Sequence, residues 1–98
     1  GITPNNDGKV IRLAFPELSE ERRKELVKTV SQYGEESKIA IRAIRREAND
    51  IIKKQKKQSE ITEDEQKSSE NKIQDLTDDH IEKVDEIVKE KEKEILEF

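Results

Sequence analysis

Apolar residues recur at steps of three and four along two long stretches of this chain, and charged residues dominate the positions between them. That spacing places the apolar side chains on one face of an α-helix, since the helix repeats about every 3.6 residues. Charged residues make up 45% of the 98 residues and hydrophobic ones only 30%, so any core must be thin. We therefore predict an all-α fold, built as a long antiparallel helical hairpin.

The first helix is predicted to begin after Ser19 and to end at about Lys57. Serine is a good N-cap, and the acidic residues that follow suit the positive end of the helix dipole. Gly34 lies inside this helix, where glycine costs roughly 1 kcal/mol against alanine, and it indicates either a close helix–helix contact or a bend. The apolar face consists of Leu26, Val30, Tyr33, Ala40, Ile44, Ala48 and Ile51.

The second helix is predicted to follow a break at residues 58–61 and to reach about Glu97. Thr62 and Glu65 match the capping box, in which each side chain bonds the other residue's backbone N–H. Each apolar face is wider than one neighbouring helix can cover, so a hairpin alone leaves part of it exposed and a third helix is missing. The apolar residues of this helix are Ile73, Leu76, Val84, Ile87 or Val88, and Ile95.

Residues 1–18 differ from the rest of the chain, since they hold both prolines and two of the three glycines. The alternating pattern of Val10–Phe15 is typical of a β-strand, which Pro16 ends. A lone strand needs a partner for its backbone N–H and C=O groups, and the chain has no second strand of comparable quality. We therefore predict the last strand of a sheet whose other strands lie outside this chain.

Charge is segregated along the chain, although the net charge is only -4. Residues 38–57 carry eight basic and two acidic side chains, whereas residues 58–98 carry six basic and fifteen acidic ones. On a helical wheel the basic block falls on one side of the first helix, roughly 120–180° from the apolar line. We call this side the cationic ridge and predict that it faces outward; it consists of Lys38, Arg42, Arg45, Arg46, Asn49, Lys53 and Lys56.

The cationic ridge has two interpretations that the residues alone leave open. Runs of charge usually form solvated faces, and Glu47 and Asp50 can draw part of the ridge into weak exposed salt bridges. Clustered arginines, however, favour a polyanion, because a guanidinium is always charged and binds phosphate through two hydrogen bonds.

Other kinds of site find little support in the sequence. Without cysteine there is no disulfide, thiol nucleophile or thiolate metal site. The single histidine, His80, is more typical of a structural residue than of a ligand or base. No glycine-rich phosphate loop or calcium loop occurs, and no apolar run approaches the ~20 residues that cross a bilayer. We expect no enzyme activity, no catalytic residue, no metal site, no cofactor, no membrane partner and a cytoplasmic location.

The chain resembles the bacterial ribosome recycling factors in three blocks that occur in order: ITPNNDGKVIR at 2–12, PELSEERRK at 16–24 and AIRAIRREAND at 40–50. Its ending, Lys91–Leu96, is also similar to that family's C-terminus. Members of the family combine a long three-helix bundle with a small β/α/β domain inserted after the first helix. The resemblance implies that residues 1–18 hold the last strand of the small domain plus the hinge, and that residues 19–98 hold the second and third helices of the bundle.

The resemblance also implies a function. Members of the family are not enzymes; they bind the large ribosomal subunit and, with elongation factor G, split the post-termination ribosome for recycling. The RNA-binding positions that match the family are Arg23, Arg42 and Arg45, with Arg22 and Arg46 as their neighbours. The cationic ridge adds Lys38, Asn49 and Lys53 to the expected RNA-binding residues. The expected hinge residues are Phe15, Pro16, Glu17 and Leu18.

The sequence also leaves an alternative function, an expected self-association and one departure from the family pattern. The alternative to RNA binding is a structural helical-hairpin module whose charges only keep it solvated. The isolated chain is expected to self-associate, because its exposed apolar stripes seek a substitute for the missing third helix. Ser59 departs from the family, in which related sequences often carry glycine at this turn.

Overall fold

The structure, a computed structural model, describes residues 18–97 of the chain. Helix α1 spans Glu20–Lys57 and helix α2 spans Glu63–Glu97, and the two pack against each other along their length. They run antiparallel, since the beginning of α1 lies beside the end of α2. The predicted all-α hairpin is therefore confirmed for these residues. The predicted strand, Val10–Phe15, lies outside the described residues.

Both helices begin at the side chains that the sequence indicates. The backbone N–H of Arg22 donates to Ser19 Oγ at 3.0 Å. Thr62 and Glu65 form the reciprocal capping box, with bonds of 2.8 Å from Thr62 N to Glu65 Oε1 and 3.1 Å from Glu65 N to Thr62 Oγ1. These bonds satisfy N–H groups at the helix starts. The predicted helix boundaries are confirmed.

The turn between the helices follows the Schellman pattern of helix C-termini. The N–H of Ser59 donates to the carbonyl of Lys56 at 3.0 Å, and that of Glu60 donates to the carbonyl of Gln55 at 2.8 Å. Ser59 has a φ of 61°, the left-handed conformation, which costs an L-residue about 1–2 kcal/mol and glycine almost nothing. The glycine that the family resemblance leads one to expect here thus has a conformational reason.

The helices approach closely at Gly34. A Cβ added there would lie 2.5 Å from Val88 Cγ2 and 3.9 Å from Val84 Cγ1. The first distance is far below van der Waals contact, so only a residue without a side chain fits. Of the two interpretations of Gly34, the close helix–helix contact is the one observed, and α1 continues through this position.

The hairpin encloses almost no core. Among the side chains of residues 18–97, only Ile52, 8% exposed, and Thr77, 6% exposed, count as buried. The Thr77 hydroxyl donates to the carbonyl of Ile73 at 2.7 Å, which satisfies the buried polar group within α2. The described residues extend over 68 × 30 × 15 Å, the elongated shape of two long helices packed side by side.

One flank of the hairpin is apolar, and we call it the apolar face. Tyr33, Ile44 and Ile51 of α1 and Leu76 and Ile87 of α2 are 58–65% exposed. Two shallow grooves of about 350 and 300 Å³ run between the helices on this flank. So much exposed apolar surface on so small a body agrees with the expectation that a further helix covers it.

Candidate nucleic-acid interface

The cationic ridge lies on the flank opposite the apolar face. Gly34 and Ile52, both buried, mark the side of α1 that faces α2. At about 100° per residue, Arg42 and Arg46 lie to one side of that line and Ile44 to the other. The hairpin therefore places the exposed apolar residues of the apolar face on the flank opposite Arg42 and Arg46; Ile39, 61% exposed, is an exception that lies about 20° from Arg46 around α1.

Three cations of the ridge are exposed to solvent and have no ion-pair partner in the described helices. The side chains of Arg42, Arg46 and Lys53 are exposed. Within residues 18–97, no carboxylate lies within the 4.0 Å of an ion pair from any of them. The strip from Arg42 to Lys53 is roughly 17 Å long at 1.5 Å per residue. It presents fixed positive charges that no acidic group of the described helices neutralises.

Lys38 departs from its predicted place on the outer face. Its side chain is only 15% exposed, and its Nζ lies 2.8 Å from both Glu35 Oε2 and Asp85 Oδ1. Lys38 is rotated about 40° from Arg42 toward α2, which brings it within reach of that helix. The prediction that Lys38 faces outward is therefore wrong, and the ridge begins at Arg42.

The ion pairs of Lys38 also change its pKa. Hydrogen bonds to Asp85 and then to Glu35 raise the pKa of Lys38 above its ordinary value. Because the folded-state pKa exceeds the unfolded one, the stabilisation is fully present below the unfolded pKa of about 10.4 and is lost as the pH rises through the folded value. The link between α1 and α2 is thus intact at neutral pH.

Arg45 and Asn49 lie in the seam between the ridge and α2. Both residues are half-buried, and Arg45 also borders the larger groove of the apolar face, so it lies between the two flanks. The Oδ1 atom of Asn49 is shielded from solvent and has no hydrogen-bond partner in the described part of the chain. A buried oxygen without a donor is costly to the folded state.

Arg22 and Arg23 lie at the opposite end of α1, roughly 28 Å from Arg42 along the helix. Arg22 is exposed and pairs with Glu25 at 3.4 Å. Arg23 reaches across to α2, where its Nη1 donates to the backbone carbonyl of Ile95 at 2.5 Å. The last turn of α2 has no basic residue of its own, so Arg23 supplies the cation that a helix C-terminus favours.

The remaining sequence candidates lie away from the ridge. His80 Nδ1 donates to the Leu76 carbonyl at 2.8 Å and borders a groove of the apolar face, which fits its structural interpretation. Leu18 is the only expected hinge residue inside the described range; Phe15, Pro16 and Glu17 lie outside it. Residues 18–97 hold no cluster of metal-ligating side chains and no helix apolar enough to span a membrane.

Two contacts of the site were not predicted. The Arg23–Ile95 hydrogen bond joins residues 72 positions apart, and the Lys38–Asp85 pair joins residues 47 apart. The antiparallel hairpin brings both pairs together, but the sequence alone does not set the register between the helices to within one turn. The missing basic residue in the last turn of α2 was the one signal that pointed toward a capping cation from elsewhere.

Comparison with known proteins adds an independent finding. Residues 1–96 match the ribosome recycling factor family. Curated proteins named ribosome-recycling factor are similar throughout: that of Geobacillus thermodenitrificans is 61% identical over 97 residues, and those of Bacillus pumilus and Bacillus subtilis are 59% and 55% identical. Each match covers 99% of this chain and 52% of the relative. The chain thus spans about half the length of the curated relatives it matches.

Proposed function

Because this chain belongs to the ribosome recycling factor family, we propose that it acts as a translation factor that binds ribosomal RNA of the large subunit through its cationic ridge. It works in the cytoplasm, is not an enzyme, and splits the post-termination ribosome together with elongation factor G. The observation that carries the RNA contact is that Arg42, Arg46 and Lys53 are exposed on one flank of α1 and form no ion pair within residues 18–97.

The ridge would hold RNA by electrostatic positioning. Each guanidinium offers a planar fork of N–H donors that fits a phosphate, and the fixed spacing along α1 sets where those forks stand. Binding displaces counterions from the phosphates, which supplies the driving force. No aromatic side chain lies along the ridge, so base stacking plays no part, which suits an RNA recognised by its shape.

The other expected RNA-binding residues take secondary places in this proposal. Arg45 and Asn49 lie at the edge of the contact, beside Arg42 and Arg46. Arg22 and Arg23 form a second contact near the beginning of α1; Arg23 keeps most of its five N–H donors after its bond to Ile95. Lys38, neutralised by its two carboxylates, ties α1 to α2 and adds little to RNA affinity.

We further propose the domain arrangement that the family resemblance implies. Residues 1–18 form the last strand and hinge of the small domain, and the hinge around Phe15–Leu18 lets that domain swing when elongation factor G pushes it. Residues 19–98 form two helices of a three-helix bundle. The exposed apolar face supports this arrangement, because it offers a third helix a continuous surface.

A structural helical hairpin that pairs with another protein's helix is the second candidate function. The apolar face favours it: this chain by itself can bury that surface only against a partner, a second copy included. In this case the charges of the cationic ridge only keep the hairpin hydrated and bind no RNA. The two candidates differ in what drives binding, which is phosphate charge for the first and apolar area for the second.

We expect binding of this chain to large ribosomal subunits to weaken steeply with salt. Four or five phosphate contacts give a roughly 100-fold loss of affinity between about 50 and 200 mM salt. The measurement is cosedimentation with large subunits across that range. It is made with this chain and with a fusion that places the amino-terminal half of the Geobacillus thermodenitrificans relative before it, in which the apolar face has its expected helix.

A salt-independent affinity in both proteins would overturn the RNA proposal in favour of the hairpin module. Ribosome splitting is then tested with the fusion, elongation factor G and GTP. Light scattering of this chain alone reports self-association, which the fusion should abolish.

A further inference from the structure

The proposed RNA contact lies on α1, but the flank that carries it is formed by both helices. The ion pair between Lys38 and Asp85 fixes which side of α2 shares that flank. Asp85 is exposed and stands at the ridge side of the seam. Residues of α2 in helical register with Asp85 therefore border the ridge, and their charges act on whatever binds there.

Toward the interhelical turn, the residue of α2 in helical register with Asp85 is Lys67. It lies 18 residues before Asp85, about five full helical turns, and so on the same side of α2. Asn71 and Gln74 lie within about 40° of the same line. All three side chains are exposed and none is acidic.

The antiparallel register places this segment beside the cations of the ridge. Gly34 lies level with Val88, and Lys38 lies level with Asp85. In this antiparallel pairing, each step forward along α1 corresponds to one step backward along α2. Lys67 therefore lies level with Lys56, the last member of the ridge, and Lys53 is one helical turn away. Lys67 thus adds a cation from α2 to the strip on α1.

The carboxylates one helical turn from Lys67 belong to Glu63, Asp64 and Glu70. Within residues 18–97, none of them comes within ion-pair distance of Lys67. Its charge is therefore free, like those of Arg42 and Arg46. These three carboxylates lie within about 60° of Lys67 around α2, so the positive field over the seam comes from Lys67 together with Lys53 and Lys56 of α1, which attract a phosphate from both helices.

The same flank changes sign in its other half. Asp78, seven residues before Asp85, accepts a hydrogen bond from the Gln74 amide at 2.9 Å and lies on the same line. Asp85 itself neutralises Lys38. Both carboxylates repel phosphate, so the positive surface ends near Gln74 on α2 and at Lys38 on α1.

We propose that the RNA-binding surface crosses from α1 to α2 near the interhelical turn, with Lys67 contacting a phosphate and Asn71 beside it, and that it ends at the Lys38–Asp85 ion pair. This inference rests on the proposed function, of which it defines the footprint. It adds a binding residue that the family's arginine block does not include.

Three charge reversals on α2 test it in the fusion: Lys67→Glu inside the surface, Lys89→Glu on the same flank beyond the boundary, and Lys72→Glu on the opposite side. All three lysines are exposed, and each change alters the net charge equally. We expect Lys67→Glu to weaken large-subunit binding about tenfold and to lower the slope of log affinity against log salt by about one or more. Lys72→Glu and Lys89→Glu should bind like the parent.

The outcomes separate this inference from the proposal beneath it. If Lys67→Glu binds like the parent while reversal of Arg42 and Arg46 weakens binding, the footprint on α2 is wrong and the ridge proposal stands. If Lys72→Glu weakens binding as much, the effect is one of overall charge and the inference fails. Equal weakening by Lys89→Glu contradicts the boundary. Unchanged circular dichroism in all three variants shows that the helices are intact.

Discussion

Replacing Arg42 and Arg46 together by glutamate is expected to reduce the affinity of the fusion for large ribosomal subunits by at least about 100-fold at low salt. The double change removes two free cations from the middle of the cationic ridge and puts two anions in their place. Both side chains are exposed and form no ion pair within residues 18–97, so the hairpin should remain folded. Cosedimentation measures the affinity, and circular dichroism measures the helix content.

The matched control reverses two lysines elsewhere. Lys72→Glu with Lys83→Glu changes the net charge by the same amount on exposed sites of α2 away from the ridge. If both double variants lose affinity equally, long-range charge explains the binding and the ridge has no special part. If neither double variant loses affinity for large subunits, the RNA proposal is contradicted and the hairpin-module interpretation is favoured.

Gly34→Val is expected to lower the free energy of unfolding by about 2–3 kcal/mol, although valine is a better helix former than glycine. Its Cβ would meet Val88 Cγ2 at 2.5 Å. Val88 is β-branched and stiff at χ1, so it cannot turn aside cheaply and the helices must separate. Gly34→Ala should cost about 1 kcal/mol, the overpacking penalty less the gain in helix propensity. Urea unfolding followed by circular dichroism measures both.

A second substitution distinguishes the contact from a general effect on α1. Val88→Ala removes the two methyl groups that the new side chain would strike. Combined with Gly34→Ala it should give a protein at least as stable as Val88→Ala alone, because the propensity gain is then unopposed. If Gly34→Ala alone proved more stable than the parent, the close contact at Gly34 would be wrong.

The helices of this fold were predictable because their signals are local. The cap at Ser19 and the box of Thr62 with Glu65 each involve residues three positions apart, and the apolar repeats extend over many turns. The same local rules could not decide between a bend and a contact at Gly34. That answer depends on which residue of α2 lies opposite, and it becomes visible only when Val88 is placed.

The candidate site was predictable in composition but less so in geometry. A helical wheel separates the cationic ridge from the apolar face correctly, since both lie on one regular helix. It cannot say where α2 packs, and a shift of about 40° is enough to turn Lys38 from an exposed cation into an interhelical ion pair. The hydrogen bond from Arg23 to Ile95 was not predicted for the same reason, because its acceptor is a backbone carbonyl that carries no sequence signature.

The most direct test of the central claim is photocrosslinking from two adjacent positions of α1. The chain has no cysteine, so Lys53→Cys and Lys54→Cys in a fusion otherwise free of cysteine each carry one label. Both sites are exposed, but they lie about 100° apart and only Lys53 is on the cationic ridge. Bound to large subunits, the label at 53 should crosslink ribosomal RNA and the label at 54 should not. Equal RNA crosslinking from both, or crosslinking from 54 alone, would contradict an RNA contact made by this flank.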